Sequence, residues 1–440
     1  MSQTLATEAD RLFAGARSVL AGGVSAALRL HPYVGRPVYL AGGEGAYVTD
    51  LDGQRYLDFN LANGAALLGH RHPGVEQAVI DCLRAGVPTA AETPSHERLA
   101  ALLTEIIPAA ERVRFATNGS DVTIVALRIA RHATGRTAFV KFEGHYHGLL
   151  EPFLFRQADP TGADGAAIPS SGGVPVAEGE DVFVLPWNDA AAFEACLDRH
   201  GDRIAAVFCE PVHYNAGCIP PAPGFLELLR ARTSAAGAVL VFDEVLSGFR
   251  MALGGAQAHY GVTPDLTTVA KALANGMPLA ALAGRADLME SLAPTGPVAH
   301  SGTYSGHPLG VAAALAALEE LRAPGLYDRL NATADAFYRD LQAILDRHAL
   351  PVRVQGLGAR FGLYFGRTAP VRSYNDARDH DHDLHKRFVL ACLERGLYFH
   401  AYSRQGPPGH AGISLAHSAT DLATALTAID DVAAEMARPA

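Results

Sequence analysis

The chain has 440 residues, of which 49% are hydrophobic and 19% charged, and it carries a net charge of −10 at pH 7. That length exceeds what one hydrophobic core usually serves, so a large and a small domain are expected, and the apolar fraction excludes a disordered chain. The acidic balance, with no block rich in Lys and Arg, argues against a nucleic-acid partner, and no apolar run reaches the ~20 residues that span a bilayer.

The N-terminal stretch is polar and carries acids, without the basic start and apolar run of a signal peptide. Cys82, Cys196, Cys209, Cys218 and Cys392 are scattered, and no pair has C-x-x-C spacing. Neither a disulfide framework nor a zinc site is expected, and a reducing cytoplasm fits.

Taken in chain order, a short amphipathic helix is expected from about residue 10 to 20, closing at Gly22 and Gly23. The run PVYLAGGEGAYVTDLDGQRYLDF, punctuated by Gly and Asp-Gly, predicts hairpin strands. Helices follow at about residues 74–86 and 95–107. Beyond Arg112, short apolar runs (VRFAT, TAFVKF, AAVFCEPV, AVLVFDEV) alternate with helical patterns. This predicts βαβ units and a mainly parallel sheet covered on both faces. From about Val311 the pattern turns helical, then strand-rich near RVQGLGARFGLYF, then helical to the end, an α+β pattern. The expected division is residues 1–70 as an N-terminal part of a small domain, 71–320 as the large domain and 321–440 as the C-terminal small domain. Residues 157–181, rich in Gly, Ala, Pro and Ser, are expected to form a loop, either a lid or a surface insertion.

In open α/β sheets ligands bind beyond the carboxyl ends of the strands, so the residues there carry the chemistry. After VRFAT come Gly119 and Ser120, the latter read as the N-cap of the next helix. Such an N-terminus suits a phosphate, although most such turns are ordinary caps. After TAFVKF comes Tyr146, flanked by histidines and glycines, placed either to stack on a planar ring or to pack on the core. After AVLVF come Asp243 and Glu244. A carboxylate there needs a cationic partner such as a protonated pyridine, unless it caps a helix or binds a metal. The absence of a G-x-x-x-x-G-K-[ST] loop disfavours a nucleotide triphosphatase. Lys271 follows the apolar run LTTVA, and a buried amine there is a candidate for Schiff-base chemistry. A phosphate cradle, an aromatic, an acid and an amine, in that order, are the parts a pyridoxal cofactor needs.

Those segments, with LGHRHPGV, EPVHYNAGCIPP, TTVAKALANGMP, HSGTYSGHPLG and ISLAHSATDL, resemble the class III aminotransferases of pyridoxal phosphate (PLP) fold type I. The likeness covers nearly the whole chain and is nearest to the glutamate-1-semialdehyde 2,1-aminomutase branch. It implies a large domain with a mainly parallel seven-stranded sheet, a smaller α+β domain, and pyridoxal 5'-phosphate as cofactor. By position it implies that Lys271 joins the cofactor as a Schiff base and that Asp243 pairs with the pyridine nitrogen. It also implies that Tyr146 stacks on the ring, Gly119 and Ser120 bind the phosphate, and Asn215 lies near the ring hydroxyl. Thr303 is implied to reach the phosphate in the neighbouring subunit, hence a homodimer with composite active sites. Arg29 resembles the arginine that holds the substrate carboxylate.

The substrate half departs from the aminomutase pattern. Ala62-Asn63-Gly64 stands where a tryptophan is usual, the only tryptophan being Trp187, and RQGPPGHAGISLAHS lacks the usual acid. Asn63 is therefore a candidate substrate contact, and an aminotransferase is expected that moves an amino group between an amino-acid-like, carboxylate-bearing small-molecule donor, β-amino and D-amino acids included, and a keto or aldehyde acceptor. Such an enzyme works by two half-reactions in which Lys271 moves the Cα proton. An aminomutase is the alternative, and a non-catalytic binding protein on this fold is a third, disfavoured by intact Lys271, Asp243 and Ser120. His380, His382 and His385 are expected on a solvated surface rather than around a metal, and Cys209 and Cys218 as buried thiols.

Overall fold

The computed structural model describes residues 7–159 and 165–438. Seven strands build the central sheet: β1 (Arg112–Ala116), β2 (Ala138–Phe142), β3 (Val182–Leu185), β4 (Ile204–Cys209), β5 (Val239–Glu244), β6 (Leu266–Val269) and β7 (Ala280–Gly284). Their order across the sheet is β1-β7-β6-β5-β4-β2-β3. Only β7 runs antiparallel to its neighbours, so the expected mainly parallel seven-stranded sheet is present.

The apolar runs are two-sided because helices cover both faces. Val239 and Val241 of β5 pack with Val125 and Ile129 of the helix Gly119–Thr134. Leu240 and Phe242 point the other way, onto Phe193 and Leu229 of the helices Ala190–His200 and Phe225–Ala236. This period-2 alternation decides where the next two residues go. Asp243 falls on the side of the helix Gly119–Thr134, and Glu244 on the other.

The strands Leu40–Glu44, Tyr47–Asp50 and Arg55–Asp58 form the expected antiparallel hairpins. The last of them also pairs in parallel with Leu397–Tyr398. Phe59, beside it, stacks on Phe399 at 4.7 Å and joins Phe337 and Phe361 in one apolar cluster with the C-terminal helices.

Three local expectations are corrected. The first helix spans Glu8–Ala16, earlier than expected, because Thr7 and Asp10 form a capping box that starts it. Residues 157–181 are not one irregular loop. Phe155–Gln157 pairs with Ala167–Pro169 as a hairpin, and Val176–Asp181 is a 3₁₀ turn. Within that stretch, residues 160–164 lie outside the described residues. The histidines of HDHDLH are not a solvated surface: His380 and His385 are buried. His385 Nδ1 meets the Tyr33 hydroxyl at 2.9 Å, His380 Nε2 meets the Gly406 carbonyl at 3.1 Å, and burial lowers the two rings to about 4 for His380 and about 3 for His385. Among the described residues no cluster has the makings of a metal site, and no helix is long and apolar enough to cross a membrane. Cys209 and Cys218 are buried free thiols whose titration burial pushes up.

Candidate active site

The carboxyl ends of β1, β2, β4, β5 and β6 share one edge of the sheet, and a cavity of about 600 Å³ opens there. It brings together Gly119, Ser120, Tyr146, Asp243 and Lys271. Asn215 is not among its lining residues and is bonded instead to Glu210, at 2.9 Å. Thr303 does not join them; it is exposed, in a separate surface cleft with His96 and Arg114. Arg29 and Asn63 line a third and larger cavity of about 860 Å³, whose other walls include Leu12, Leu20, Val24 and Leu28.

β1 delivers the chain to the helix Gly119–Thr134, but the cap is Asn118, not Ser120. The backbone of Asn118 is still extended, and its side chain accepts from the Asp121 amide at 3.1 Å. Ser120 thus falls in the first turn, where its hydroxyl accepts from the Leu149 amide at 3.2 Å. Gly148 lets these two segments touch: a Cβ on it would lie 2.5 Å from the Ser120 Oγ. The free amides at this helix start form a concave donor set of the kind that cradles a phosphate.

Asp243, 3% exposed, is held from three sides. His147 Nδ1 lies 2.8 Å from one oxygen, while the Thr268 hydroxyl and the Val245 amide donate to the other at 3.1 Å. Burial lowers the His147 titration, so this ring is a neutral donor rather than a cation. A buried carboxylate with neutral donors and an open cavity in front of it is suited to a cation brought by a ligand. Glu244, on the opposite face, is used up by the structure: it accepts from the amides of Ala256 and Gln257 at the start of the helix Gly255–Tyr260.

Two lysines are sunk in this region, and their surroundings differ. Lys141 donates to the carbonyls of Phe153 and Phe155 at 3.0 Å each. Lys271 makes no side-chain hydrogen bond among the described residues and lines the cavity. Its backbone is left-handed, φ 48°, an uncommon setting for a non-glycine residue at the end of β6. Burial, and then the charge of Arg250, lower its amine to about 8, against the pull of Glu210 and Asp243. An amine that titrates there is available as a nucleophile near neutrality. Uptake of pyridoxal phosphate by cofactor-free protein is therefore expected to quicken with pH and level off above about 8, instead of rising on towards the ordinary lysine value of 10.5. Visible absorbance after mixing at pH 6–10 measures this, and a rate still climbing steeply at pH 10 would contradict it.

Glu210, which directly follows β4, was overlooked in the sequence. It accepts from the Tyr146 amide at 2.8 Å and from the Asn215 side-chain amide at 2.9 Å. Burial raises its carboxyl to about 7, partly offset by these bonds. It ties the aromatic loop to Asn215 as one unit. The same strand-end rule that singled out Asp243 reaches Glu210, since the run AAVFC ends on it. Tyr146 itself is half-exposed, with its ring toward the cavity.

The set fits a planar, phosphorylated pyridine aldehyde: amides and a hydroxyl for phosphate, a free aromatic face, a buried carboxylate needing a cation, and an unpaired amine. Comparison with known proteins agrees. The family model for aminotransferase class-III matches residues 32–407. An omega-transaminase from Sphaerobacter thermophilus is 33% identical over 99% of both chains, with a TM-score of 0.91. A beta-phenylalanine aminotransferase from Variovorax paradoxus is 33% identical over 96% of this chain and 93% of its own, with a TM-score of 0.86. A glutamate-1-semialdehyde-aminomutase from Pseudomonas aeruginosa PAO1 is 26% identical over 97% and 94%, with a TM-score of 0.85. The chain belongs to the class-III aminotransferase family, and it is a pyridoxal-phosphate-dependent transaminase.

Proposed function

We propose that this transaminase takes amino donors carrying a carboxylate beside an apolar group, with β-amino acids of the β-phenylalanine type as the leading class. The observation that carries this is Arg29. It is exposed to a largely apolar cavity, and its guanidinium is tethered by Nη1 to Ser25 Oγ at 2.8 Å, leaving its other nitrogens to meet a carboxylate. Asn63, whose Oδ1 accepts from the Tyr402 hydroxyl at 3.2 Å, closes the inner wall. An asparagine there leaves room where a tryptophan ring would fill the space.

Bound pyridoxal phosphate would supply an aldehyde that exchanges amino groups and a ring that absorbs the electron pair released when the amine-bearing carbon loses its proton. The residues do the rest. Gly119 and Ser120 anchor the phosphate, Tyr146 covers one ring face, and Asn215 orients the ring from Glu210. Asp243 keeps a proton on the ring nitrogen. Lys271 would hold the cofactor between turnovers and then move the proton of the donor's amine-bearing carbon, as base and afterwards as acid. Thr303, turned away from its own cavity, serves the phosphate of a second copy in a homodimer. Residues 1–70 belong with 321–440 as the small domain around 71–320. Unpaired, mostly buried thiols suit a cytoplasmic enzyme.

A donor screen tests the reading. β-Phenylalanine should convert the bound cofactor to its amine form faster than 1-phenylethylamine, which lacks the carboxylate. Arg29→Ala should raise KM for the acid by about tenfold or more, the worth of a charge-assisted bond, and leave the amine little changed. Equal rates for the two donors would overturn the role of Arg29. Isomerisation of one amino substrate with no keto acid added would mark an aminomutase instead.

A further inference from the structure

Two arginines with no part in this chemistry lie behind the Lys271 cavity. Arg250 and Arg360 are both at 0% exposure. Arg250 donates from Nε to the Leu246 carbonyl at 3.0 Å, and both of its terminal nitrogens are buried without a partner among the described residues. Arg360 reaches the Asn60 carbonyl only at 3.4 and 3.5 Å and the His410 carbonyl at 3.1 Å, and its Nε has no partner among the described residues. Among the described residues no carboxyl acts on Arg250. The one carboxyl acting on Arg360 is Asp58, and it is already taken by His70 at 2.7 Å and by the amides of Asn60 and Leu61. A buried cation without an anion is costly, and two side by side are more so.

Their place is as telling as their lack of partners. A Cβ on Gly64 would lie 3.5 Å from both Arg250 Nη2 and Arg360 Cζ. The next residue, Ala65, lines the Lys271 cavity, and Ala62 and Asn63 line the Arg29 cavity. This wall is itself strained, with Leu61, Ala62, Asn63 and Gly64 at φ 56°, 52°, 54° and 85°. On the far side His410 closes the pair, its Nδ1 against Arg360 Nη2. Buried, and beside Arg360, Lys271 and Arg250, this imidazole is held neutral, and its Nδ1 offers Arg360 a lone pair.

We infer that Arg250 and Arg360 form a carboxylate subsite for the amino acceptor, taking the second carboxylate of a dicarboxylic 2-oxo acid whose carbonyl faces Lys271. His410 fills the subsite when it is empty, and withdraws with the irregular loop 403–410 as the carboxylate enters. A monocarboxylic acceptor leaves the pair to His410. The inference rests on the transaminase reading, since only a transaminase needs a separate acceptor.

The test uses holoenzyme and one fixed donor. The ratio of kcat/KM for 2-oxoglutarate to that for pyruvate should exceed one, and should fall about tenfold or more in Arg360→Met and Arg250→Met, as expected for one lost charge-assisted bond. A ratio moving less than twofold overturns the subsite. Binding gives a second readout independent of turnover and of the variants' folding. Glutarate should raise the Tm of the wild type more than propionate does at equal concentration, whereas equal shifts would mean that any carboxylate suffices and would overturn it too. A wild type that takes up no pyridoxal phosphate overturns the parent reading, and normal uptake with an unmoved ratio overturns this one alone.

Discussion

Lys271→Ala is expected to have no measurable turnover and to lose the absorption band of lysine-bound cofactor, while still binding pyridoxal phosphate weakly at the helix Gly119–Thr134. No other amine can take its place. The nearest buried lysine, Lys141, is fastened to two carbonyls and lies on β2, behind the loop that carries Tyr146. Thermal melting separates this from misfolding. The substitution removes a cation from beside Arg250, so the variant should melt no lower than the cofactor-free wild type. Residual turnover with an intact band would overturn the assignment of the amine.

Asp243→Asn should lower kcat by a factor on the order of 10²–10³, the usual cost of losing one preorganised charge at a reacting centre. Phosphate binding should survive, because Gly119 and Ser120 sit on a different element. Asparagine keeps one acceptor oxygen but turns an amide toward either His147 or the Thr268–Val245 pair, so one side of the present bonding is lost. Stopped-flow of the donor half-reaction, followed with a donor deuterated on its amine-bearing carbon, shows whether proton removal is the step that slows. A near-normal rate would detach Asp243 from the ring nitrogen.

Much of this was legible in the sequence, for a physical reason. Strands covered on both faces must be apolar throughout, so a polar residue at their end stands out. Asp243 and Lys271 announced themselves that way, and Glu210 obeys the same rule. Local competition hid the rest. Asn118 and Ser120 are both good caps, and only the backbone turn after β1 chooses between them. The acids of HDHDLH suggested solvent, yet His385, Phe388, Val389 and Cys392 recur with helical spacing and share the buried face. The hairpin Phe155–Gln157 with Ala167–Pro169 is too short, and too poor in β-branched residues, to show. Arg250 and Arg360 were invisible because residue type alone puts arginine outside; what buries them is the meeting of β5's outgoing turn with the strand Arg360–Phe365, a contact that brings together distant parts of the chain.

The alternation along β5 has one more consequence. Asp243 and Glu244 are chemically alike, and only parity assigns one to the cavity and the other to the scaffold. Deleting a single residue anywhere between Val239 and Phe242 would exchange their destinies and swing an acid with no donors into the core. Sequence drift in this enzyme can therefore substitute within that strand but not lengthen or shorten it. The exposed turns that carry Arg29 have no such constraint. New specificities in this lineage, natural or designed, should accumulate as changes of loop length there, over an indel-free strand.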